Sequence, residues 1–148
     1  MVLRKNINRG YMQLRVWQDA REFYLLTWNV FKKFPCELKR VASQQIASAD
    51  SIHRNIAEGY SRRGIKEYLQ HLNVAMGSAS ESVSAIHAYC PAGHISEEEF
   101  EQMDSLAFRL ENGLKKLIES LQEKQQNGDW DDSFVVRESN EAYRIGHE

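Results

Sequence analysis

The sequence predicts an all-α fold, an antiparallel up-down-up-down four-helix bundle followed by a C-terminal tail. Four long segments repeat apolar residues at steps of three and four, which is the period of one helix face. The two prolines, Pro35 and Pro91, fall where this pattern breaks, and proline cannot continue a helix interior. The links between segments are about five residues long, and links this short join antiparallel neighbours.

The first two helices are predicted over residues 16–33 and 38–57. In the first helix, Trp17 and Trp28 flank the apolar stripe, and we expect them to widen its buried surface. The second helix is rich in alanine and serine, which let a neighbouring backbone approach closely. Gly59 follows this segment and is expected to end the helix in the left-handed conformation.

The third helix is predicted over residues 65–90. Gly64 is a weak N-cap, and Glu67 stands at the position that completes a capping box. Gly77 lies in the middle of this helix. Glycine there costs about 1 kcal/mol relative to alanine, so we expect a packing reason for it.

The fourth helix is predicted over residues 97–125. Ser96 and Glu99 form a complete capping box, and the glutamates of the first turn favour the positive end of the helix dipole. The apolar residues follow a heptad, which is typical of helices packed nearly parallel or antiparallel. They are Phe100, Met103, Ala107, Leu110, Leu114, Leu117 and Leu121.

The chain has the length of one domain, 148 residues. We divide it into an N-terminal extension (residues 1–11), the bundle (12–127) and an acidic tail (128–148). No apolar run is long enough to span a membrane and no secretory signal is recognisable, so we expect a cytoplasmic protein. Cys36 and Cys90 lie far apart in the sequence and are expected to be reduced thiols.

The tail begins with the acidic run Asp129-Trp130-Asp131-Asp132 and also carries apolar residues. Two alternatives are open for it. The tail docks on a groove of the bundle, or it is mobile, as chain termini more often are. The apolar residues that could dock are Trp130, Phe134, Val135, Val136 and Tyr143.

Charge is distributed unevenly along the chain. Residues 1–66 hold 13 basic and 5 acidic residues, a net +8, and residues 67–148 hold 6 and 16, a net −10. Such asymmetry indicates a basic face for an anionic partner, or attraction between the two halves within one bundle or between subunits. We favour attraction between the halves, because folding interleaves them.

One sequence motif resembles a known family. The string Ser51-Ile52-His53-Arg54-Asn55-Ile56-Ala57-Glu58-Gly59, with matching pieces from residues 12 to 125, is similar to the four-helix-bundle proteins encoded in intervening sequences of bacterial 23S rRNA genes. The resemblance implies an antiparallel four-helix bundle that assembles as a ring-like homopentamer. A more distant likeness, to the accessory variability protein of diversity-generating retroelements, implies contact with nucleic acid and a reverse transcriptase.

The chain departs from that family at two places. Members often carry an Arg-Arg pair where this chain has Ile46-Ala47, and Ser or Thr where it has Gly64. The loss of two arginines reduces the positive charge available to an RNA partner.

Polar residues of the motif are candidates for a site or for a structural network. Ser51, Asn55 and Glu58 share one helix face, and Ser78 and Glu81 share a face of the third helix. These residues form either a polar binding site or hydrogen bonds that fix the register of two helices, and we favour the second. The full set of motif residues is Gln44, Ser51, Asn55, Glu58, Gly59, Ser78 and Glu81.

Basic residues cluster at both ends of the second helix, and arginine pairs well with phosphate. The functional interpretation is a nucleic-acid interface that a pentamer would repeat five times, and the alternative is an ordinary solvated surface. The candidate residues are Arg54, Arg62, Arg63 and Lys66 at one end and Lys39 and Arg40 at the other.

Three functions follow, of which the first is favoured. It is a non-enzymatic homo-oligomeric module, pentameric by resemblance, that contacts RNA or a nucleic-acid-processing enzyme. The second is a protein–protein interaction module without nucleic acid. The third is a metal-dependent enzyme, but a di-iron bundle needs two Glu-x-x-His pairs, and the spacings of Asp50 to His53 and of Glu67 to His71 do not supply them. We therefore predict no catalytic residue, metal or cofactor.

Overall fold

The computed structural model of the protein describes residues 9–128, and the predictions made for residues 1–8 and 129–148 lie outside this range. Four helices form this part of the chain: α1 (Arg15–Phe31), α2 (Lys39–Tyr60), α3 (Ile65–Tyr89) and α4 (Glu97–Asn127). Short 3-10 turns, Gly10–Gln13 and Cys36–Leu38, precede α1 and α2. The described residues contain no strand, and the prediction of an all-α four-helix fold is confirmed.

Each helix packs against the next along the chain, and α1 packs against α4, which closes the bundle. The direction of packing is visible from paired side chains. Gln45 near the start of α2 bonds to Ser82 near the end of α3, whereas Asn55 further along α2 bonds to His71 nearer the start of α3. The two helices are therefore antiparallel, as their short link requires.

The core is built from the apolar stripes that the sequence shows. Its largest fully buried apolar side chains include Phe23 and Phe31 of α1, Leu72 of α3 and Leu110 and Leu114 of α4. Burial of each such side chain stabilises the fold by about 1.5–3 kcal/mol. Along α4 the heptad is followed closely, but in its last turns Ile118 is buried and Leu117 is only half-buried.

Capping bonds define where two of the helices begin. The Ser96 hydroxyl accepts from the backbone N–H of Glu99 at 3.0 Å, and the Glu99 carboxylate accepts from the N–H of Ser96 at 2.9 Å. At α3 the N–H of Gly64 donates to the Glu67 carboxylate at 3.2 Å, and glycine has no side chain for the reciprocal bond. Helix α4 ends at Gly128, whose φ of +69° is left-handed.

Gly59 does not end α2, so the prediction of a left-handed C-cap there is wrong. The helix continues to Tyr60, and within residues 9–128 a positive φ occurs only at Gly93 and Gly128. A Cβ at Gly59 would lie 2.8 Å from the Cβ of His71 and 3.2 Å from the carbonyl oxygen of Tyr68. Glycine is needed here because the backbone of α3 approaches closely.

Two further expectations are not met within residues 9–128. Gly77 is exposed, and a Cβ added to it would meet no atom within 4 Å, so no neighbour in residues 9–128 explains it. Trp28 is 45% exposed and Leu25, three residues earlier, is also 45% exposed. Trp28 therefore does not widen the buried surface, whereas Trp17 packs half-buried against the core.

Two further properties of the described residues concern membrane spanning and the cysteine thiols. None of their helices combines the length and the apolar character that crossing a membrane needs. The Cys36 and Cys90 thiols are free, the first exposed and the second partly buried.

Candidate functional site

A line of hydrogen-bonded polar side chains runs between α2 and α3, and we call it the polar seam. It passes from buried Gln45 and Ser82 toward the turn that joins the two helices. Its members are Gln45, Ser48, Ser51 and Asn55 of α2 and His71, Ser78 and Ser82 of α3.

The inner end of the seam is buried. The Gln45 amide, 3% exposed, donates to the carbonyl oxygen of Ser82 at 3.0 Å. The Ser48 hydroxyl donates to the carbonyl oxygen of Ser78 at 3.1 Å. The fully buried hydroxyl of Ser82 has the Ser48 Oγ at 3.1 Å and the Ser78 carbonyl oxygen at 2.9 Å as acceptors. These bonds satisfy polar groups that would otherwise destabilise the bundle by about 1–3 kcal/mol each.

The outer end of the seam centres on Asn55. Its Nδ2 donates to the Ser51 carbonyl oxygen at 2.9 Å and lies 3.1 Å from the Ser51 hydroxyl, which also accepts from Ser78 at 2.9 Å. The Oδ1 of Asn55 then faces the Nδ1 of His71 at 3.1 Å. With the amide nitrogen engaged at Ser51, this geometry assigns the proton of the bond to His71 Nδ1.

An ion pair continues the seam to the surface. Arg62 Nη2 donates to the Glu58 carboxylate at 2.8 Å, and His71 Nε2 lies 3.9 Å from the same oxygen. The hydrogen bond from Arg62, followed by the charge of His71, holds the pKa of Glu58 below its usual value of 4.5. Because the pKa of Glu58 is lower in the folded chain than in the unfolded chain, its interactions with Arg62 and His71 stabilise the fold above pH 4.5. This stabilisation is lost as acid protonates Glu58.

The chemistry of the seam is that of a structural network. Nucleophilic catalysis by serine needs a base within hydrogen-bond reach of the hydroxyl. Here the seam serines bond to each other and to carbonyl oxygens, and His71, the histidine of the seam, is bonded to Asn55. The arrangement fixes the register of α2 against α3 and leaves no activated nucleophile in it.

The predicted polar residues are only partly brought together. Ser51, Asn55 and Ser78 lie in the seam, and Glu58 and Gly59 contact His71 at its outer end. Gln44 and Glu81 are exposed, and their side chains form no hydrogen bond within residues 9–128.

Four seam residues were missed from the sequence. Gln45 lies at the spacing of the apolar residues of α2, and that spacing gives no partner for its amide. Ser48 and Ser82 were not singled out, and His71 was weighed only for its spacing from Glu67 in a metal site. The spacing of four residues between Ser78 and Ser82 was the available signal, because it puts both hydroxyls on one face of α3.

The basic cluster at the α2–α3 turn is partly neutralised. Arg54 pairs with Asp50 at 3.2 Å, and Arg62 pairs with Glu58 as described. Arg63 and Lys66 are exposed and form no ion pair with any residue in the described range. Two cations of this cluster are therefore unpaired within the described residues.

Lys39 and Arg40 do not join that cluster. They begin α2, and a rise of 1.5 Å per residue places them about 33 Å from Arg62. Both are exposed, and they share their end of the bundle with Lys32 and Lys33 of α1. The structure therefore separates the six predicted basic residues into two distinct groups.

The expected attraction between the basic and acidic halves is not seen as direct ion pairs in the described range. No acid of residues 67–128 pairs there with an Arg or Lys of residues 9–66. The main ion pair between the halves joins an acid of the basic half to a base of the acidic half. Asp19 of α1, which is buried, accepts from Arg109 Nε at 3.2 Å and Nη2 at 3.0 Å.

Within residues 9–128, no three His, Cys, Asp or Glu side chains are grouped so as to hold a metal ion.

Fold and site together define a class of protein, an antiparallel helical bundle whose second and third helices are locked by a polar seam. The chain belongs to the family of 23S rRNA-intervening sequence proteins, whose sequence model it matches over residues 12–116.

A solved structure supports the fold. It is the 1.70 Å crystal structure of a protein of unknown function from the S23 ribosomal protein family of Bacteroides thetaiotaomicron VPI-5482. It is 23% identical in sequence and has a TM-score of 0.66, and the match covers 70% of this chain and 95% of that one. No protein of curated function matches this sequence.

Proposed function

We propose that this chain is a non-catalytic homo-oligomeric module, a ring of five copies, whose basic α2–α3 end contacts RNA. The number five comes from the family resemblance. Self-association is supported chiefly by an exposed apolar pair on α1, Leu25 and Trp28, each 45% exposed. Their spacing of three residues places them on one face of the helix.

Charge complementarity favours a second copy of the chain as the partner that covers Leu25 and Trp28. At one end of the bundle, an exposed basic corner lies where α1 ends and α2 begins, formed by Lys32, Lys33, Lys39 and Arg40. The same end carries an exposed acidic corner, Glu97, Glu98 and Glu101 at the start of α4. A head-to-tail contact would set the basic corner of one copy against the acidic corner of the next, and such contacts form rings when they close.

The double substitution Leu25→Ser and Trp28→Ser is expected to dissociate the oligomer into monomers. Both side chains are 45% exposed and lie outside the buried core, so the fold should survive while the apolar contact is lost. Light scattering measures the mass of each species at micromolar concentration. The matched control is Val74→Ser on α3, which removes a side chain that is 52% exposed and should leave the mass unchanged. A wild-type monomer at this concentration would contradict self-association.

RNA contact is supported by Arg63 and Lys66, the unpaired cations of the α2–α3 turn. Each phosphate contact made by a cation releases counterions, so binding weakens as salt rises. Repetition of this turn around a ring would multiply a modest patch.

The double reversal Arg63→Glu and Lys66→Glu is expected to weaken RNA binding and to flatten its salt dependence. For single strands, loss of two contacts should reduce the slope of log K against log salt by about 1.4. Titration of a fluorescent single-stranded RNA at several salt concentrations measures both quantities. Lys115→Glu with Lys124→Glu on α4 is the matched control, because both lysines are exposed and lie outside the α2–α3 turn. Equal losses of RNA affinity in the two variants would contradict the assignment of the interface to the α2–α3 turn. Absence of RNA binding by the wild type would favour a module with a protein partner alone.

A further inference from the structure

Phe108 is an aromatic side chain on the outer surface of α4. It is 68% exposed, the highest value among the exposed large apolar residues of the described chain. A buried aromatic side chain removes about 150–250 Å² of surface from water and often dominates the binding energy of an interface. Phe108 therefore has the character of an interface residue, and the apolar pair Leu25 and Trp28 leaves its partner surface still to be assigned.

Trp28 lies on the side of α1 that faces α2. Four residues earlier in the helix, the Tyr24 ring contacts the His53 ring of α2, and their centroids are 5.6 Å apart. Residues four apart share one helix face, so Trp28 continues the line of Tyr24. Leu25 is also exposed, and the two side chains form an apolar patch on the α1–α2 side of the bundle.

Phe108 lies on another side of the bundle. Four residues earlier in α4, Asp104 Oδ1 lies 3.0 Å from Nε2 of His87 in α3, so Phe108 follows a residue that faces α3. Phe108 also borders the outer edge of the groove between α1 and α4, which places it on the outermost part of its helix. Because the helices close in the order α1 to α4, this surface and the α1–α2 patch point away from each other. A contact between them is head-to-tail.

Leu25 and Phe108 lie at similar heights along the bundle. The bond between Asp19 and Arg109 marks one level of the antiparallel helices α1 and α4. A rise of about 1.5 Å per residue places Leu25 about 9 Å and Phe108 about 1.5 Å from this level, toward the same end. Side chains lean toward the start of their own helix, so these two lean toward each other's level. Two copies set side by side can therefore bring Leu25 against Phe108.

The surface around Phe108 is acidic. Asp104 and Glu111 flank it at one helical turn on either side, and Glu101 lies two turns before it. Burial, followed by the charge of Asp104, raises the pKa of Glu111, which reflects the negative charge gathered here. None of these three carboxylates pairs with an Arg or Lys within residues 9–128. A partner that covers Phe108 is therefore favoured if it brings a cation.

Lys32 provides such a cation at the end of α1. It is exposed and forms no ion pair within residues 9–128. It lies about 19.5 Å from the level of Asp19, and Glu101 lies about 12 Å from that level toward the same end. The difference of about 7.5 Å equals that between Leu25 and Phe108, so one placement of a second copy serves both pairs.

We infer, on the basis of the self-association proposed above, that Leu25 and Trp28 of one copy pack against Phe108 of the next, with Lys32 facing Glu101. The aromatic side chains supply the apolar area of this contact, and the ion pair fixes its direction and height. Because the contact joins two different surfaces, each copy uses its α1 surface toward one neighbour and its α4 surface toward the other.

Phe108→Ser tests the assigned surface, with light scattering at micromolar concentration as the measurement. Circular dichroism checks the fold, which should be kept because Phe108 lies outside the buried core. The dissociation constant of each contact is expected to rise about thirtyfold, the effect of an interface hot spot, so that the variant becomes monomeric. Val74→Ser on α3 is the matched control and should leave the mass unchanged. An oligomeric wild type with an equally oligomeric Phe108→Ser variant would overturn this inference alone, whereas a monomeric wild type would overturn the proposed self-association.

A mixture of two variants tests the head-to-tail arrangement. The chain with Leu25→Ser and Trp28→Ser keeps its α4 surface, and the chain with Phe108→Ser keeps its α1 surface. Each is expected to be monomeric alone, and an equimolar mixture should form a one-to-one dimer of twice the monomer mass. A mixture that stays monomeric, or a dimer formed by either variant alone, would contradict the pairing of these two surfaces.

Charge exchange tests the height of the contact. Lys32→Glu is expected to weaken assembly because it sets two carboxylates against each other. Addition of Glu101→Lys to the same chain should restore the oligomer, since every contact then carries the reversed ion pair. Lack of recovery in the double variant would overturn the assigned pairing of Lys32 with Glu101.

Discussion

Replacement of Gly59 by alanine is expected to lower the free energy of unfolding by about 2 kcal/mol. Alanine normally stabilises a helix by about 1 kcal/mol relative to glycine, so the expected sign is opposite to that of helix propensity. The reason is contact with the neighbouring helix. The new methyl would lie 2.8 Å from the Cβ of His71 and 3.2 Å from the Tyr68 carbonyl oxygen, and neither atom is the end of a flexible side chain.

Gly77→Ala is the matched control for this prediction. Gly77 is also helical, but its added methyl meets no atom within 4 Å. We expect a gain of about 1 kcal/mol from helix propensity alone. Urea unfolding followed by circular dichroism measures both variants. A stabilised Gly59→Ala would show that α3 moves away at little cost, and a destabilised Gly77→Ala would indicate that a second copy packs on that face.

Replacement of Arg109 by methionine is expected to destabilise the fold by about 2 kcal/mol, because it leaves the Asp19 carboxylate without its partner. The Asp19 side chain is only 12% exposed, so water restores little of the lost interaction. The Arg109 side chain is 63% exposed, which puts the expected loss below the value of about 3–5 kcal/mol for a fully buried pair.

An exposed ion pair on α1, the helix that carries Asp19, provides the comparison. Arg21 and Glu22 are each 53% exposed, so Arg21→Met should change stability by less than about 0.5 kcal/mol. A double variant, Asp19→Leu with Arg109→Met, should recover part of the loss because it removes the uncompensated charge. Thermal unfolding at neutral pH measures all three. A double variant less stable than Arg109→Met alone would contradict this explanation.

Much of the fold could be predicted because helix periodicity and capping act over neighbouring residues. Ser96 and Glu99 form their box through local bonds, and the heptad of α4 faces the core along most of its length. Gly59 was misjudged because two different needs select glycine. A left-handed turn is a local need, whereas room for the α3 backbone exists only once the two helices meet.

The candidate site was less predictable because its bonds join residues far apart in sequence. Ser51 and Asn55 were found on one helix face, but Gln45 and Ser82 are 37 residues apart and nothing local marks their bond. The exposure of Trp28 was missed for a related reason. An amphipathic stripe has a diffuse boundary, and its outer residues are buried only if a partner covers them.

The polar seam has a mechanical consequence for the pair α2 and α3. To slide one helix past the other by a single turn, about 5.4 Å, would break every interhelical seam bond together and bury several polar groups unpaired. The two helices therefore move as one rigid unit. A ligand that contacts both helices would bind a preorganised surface.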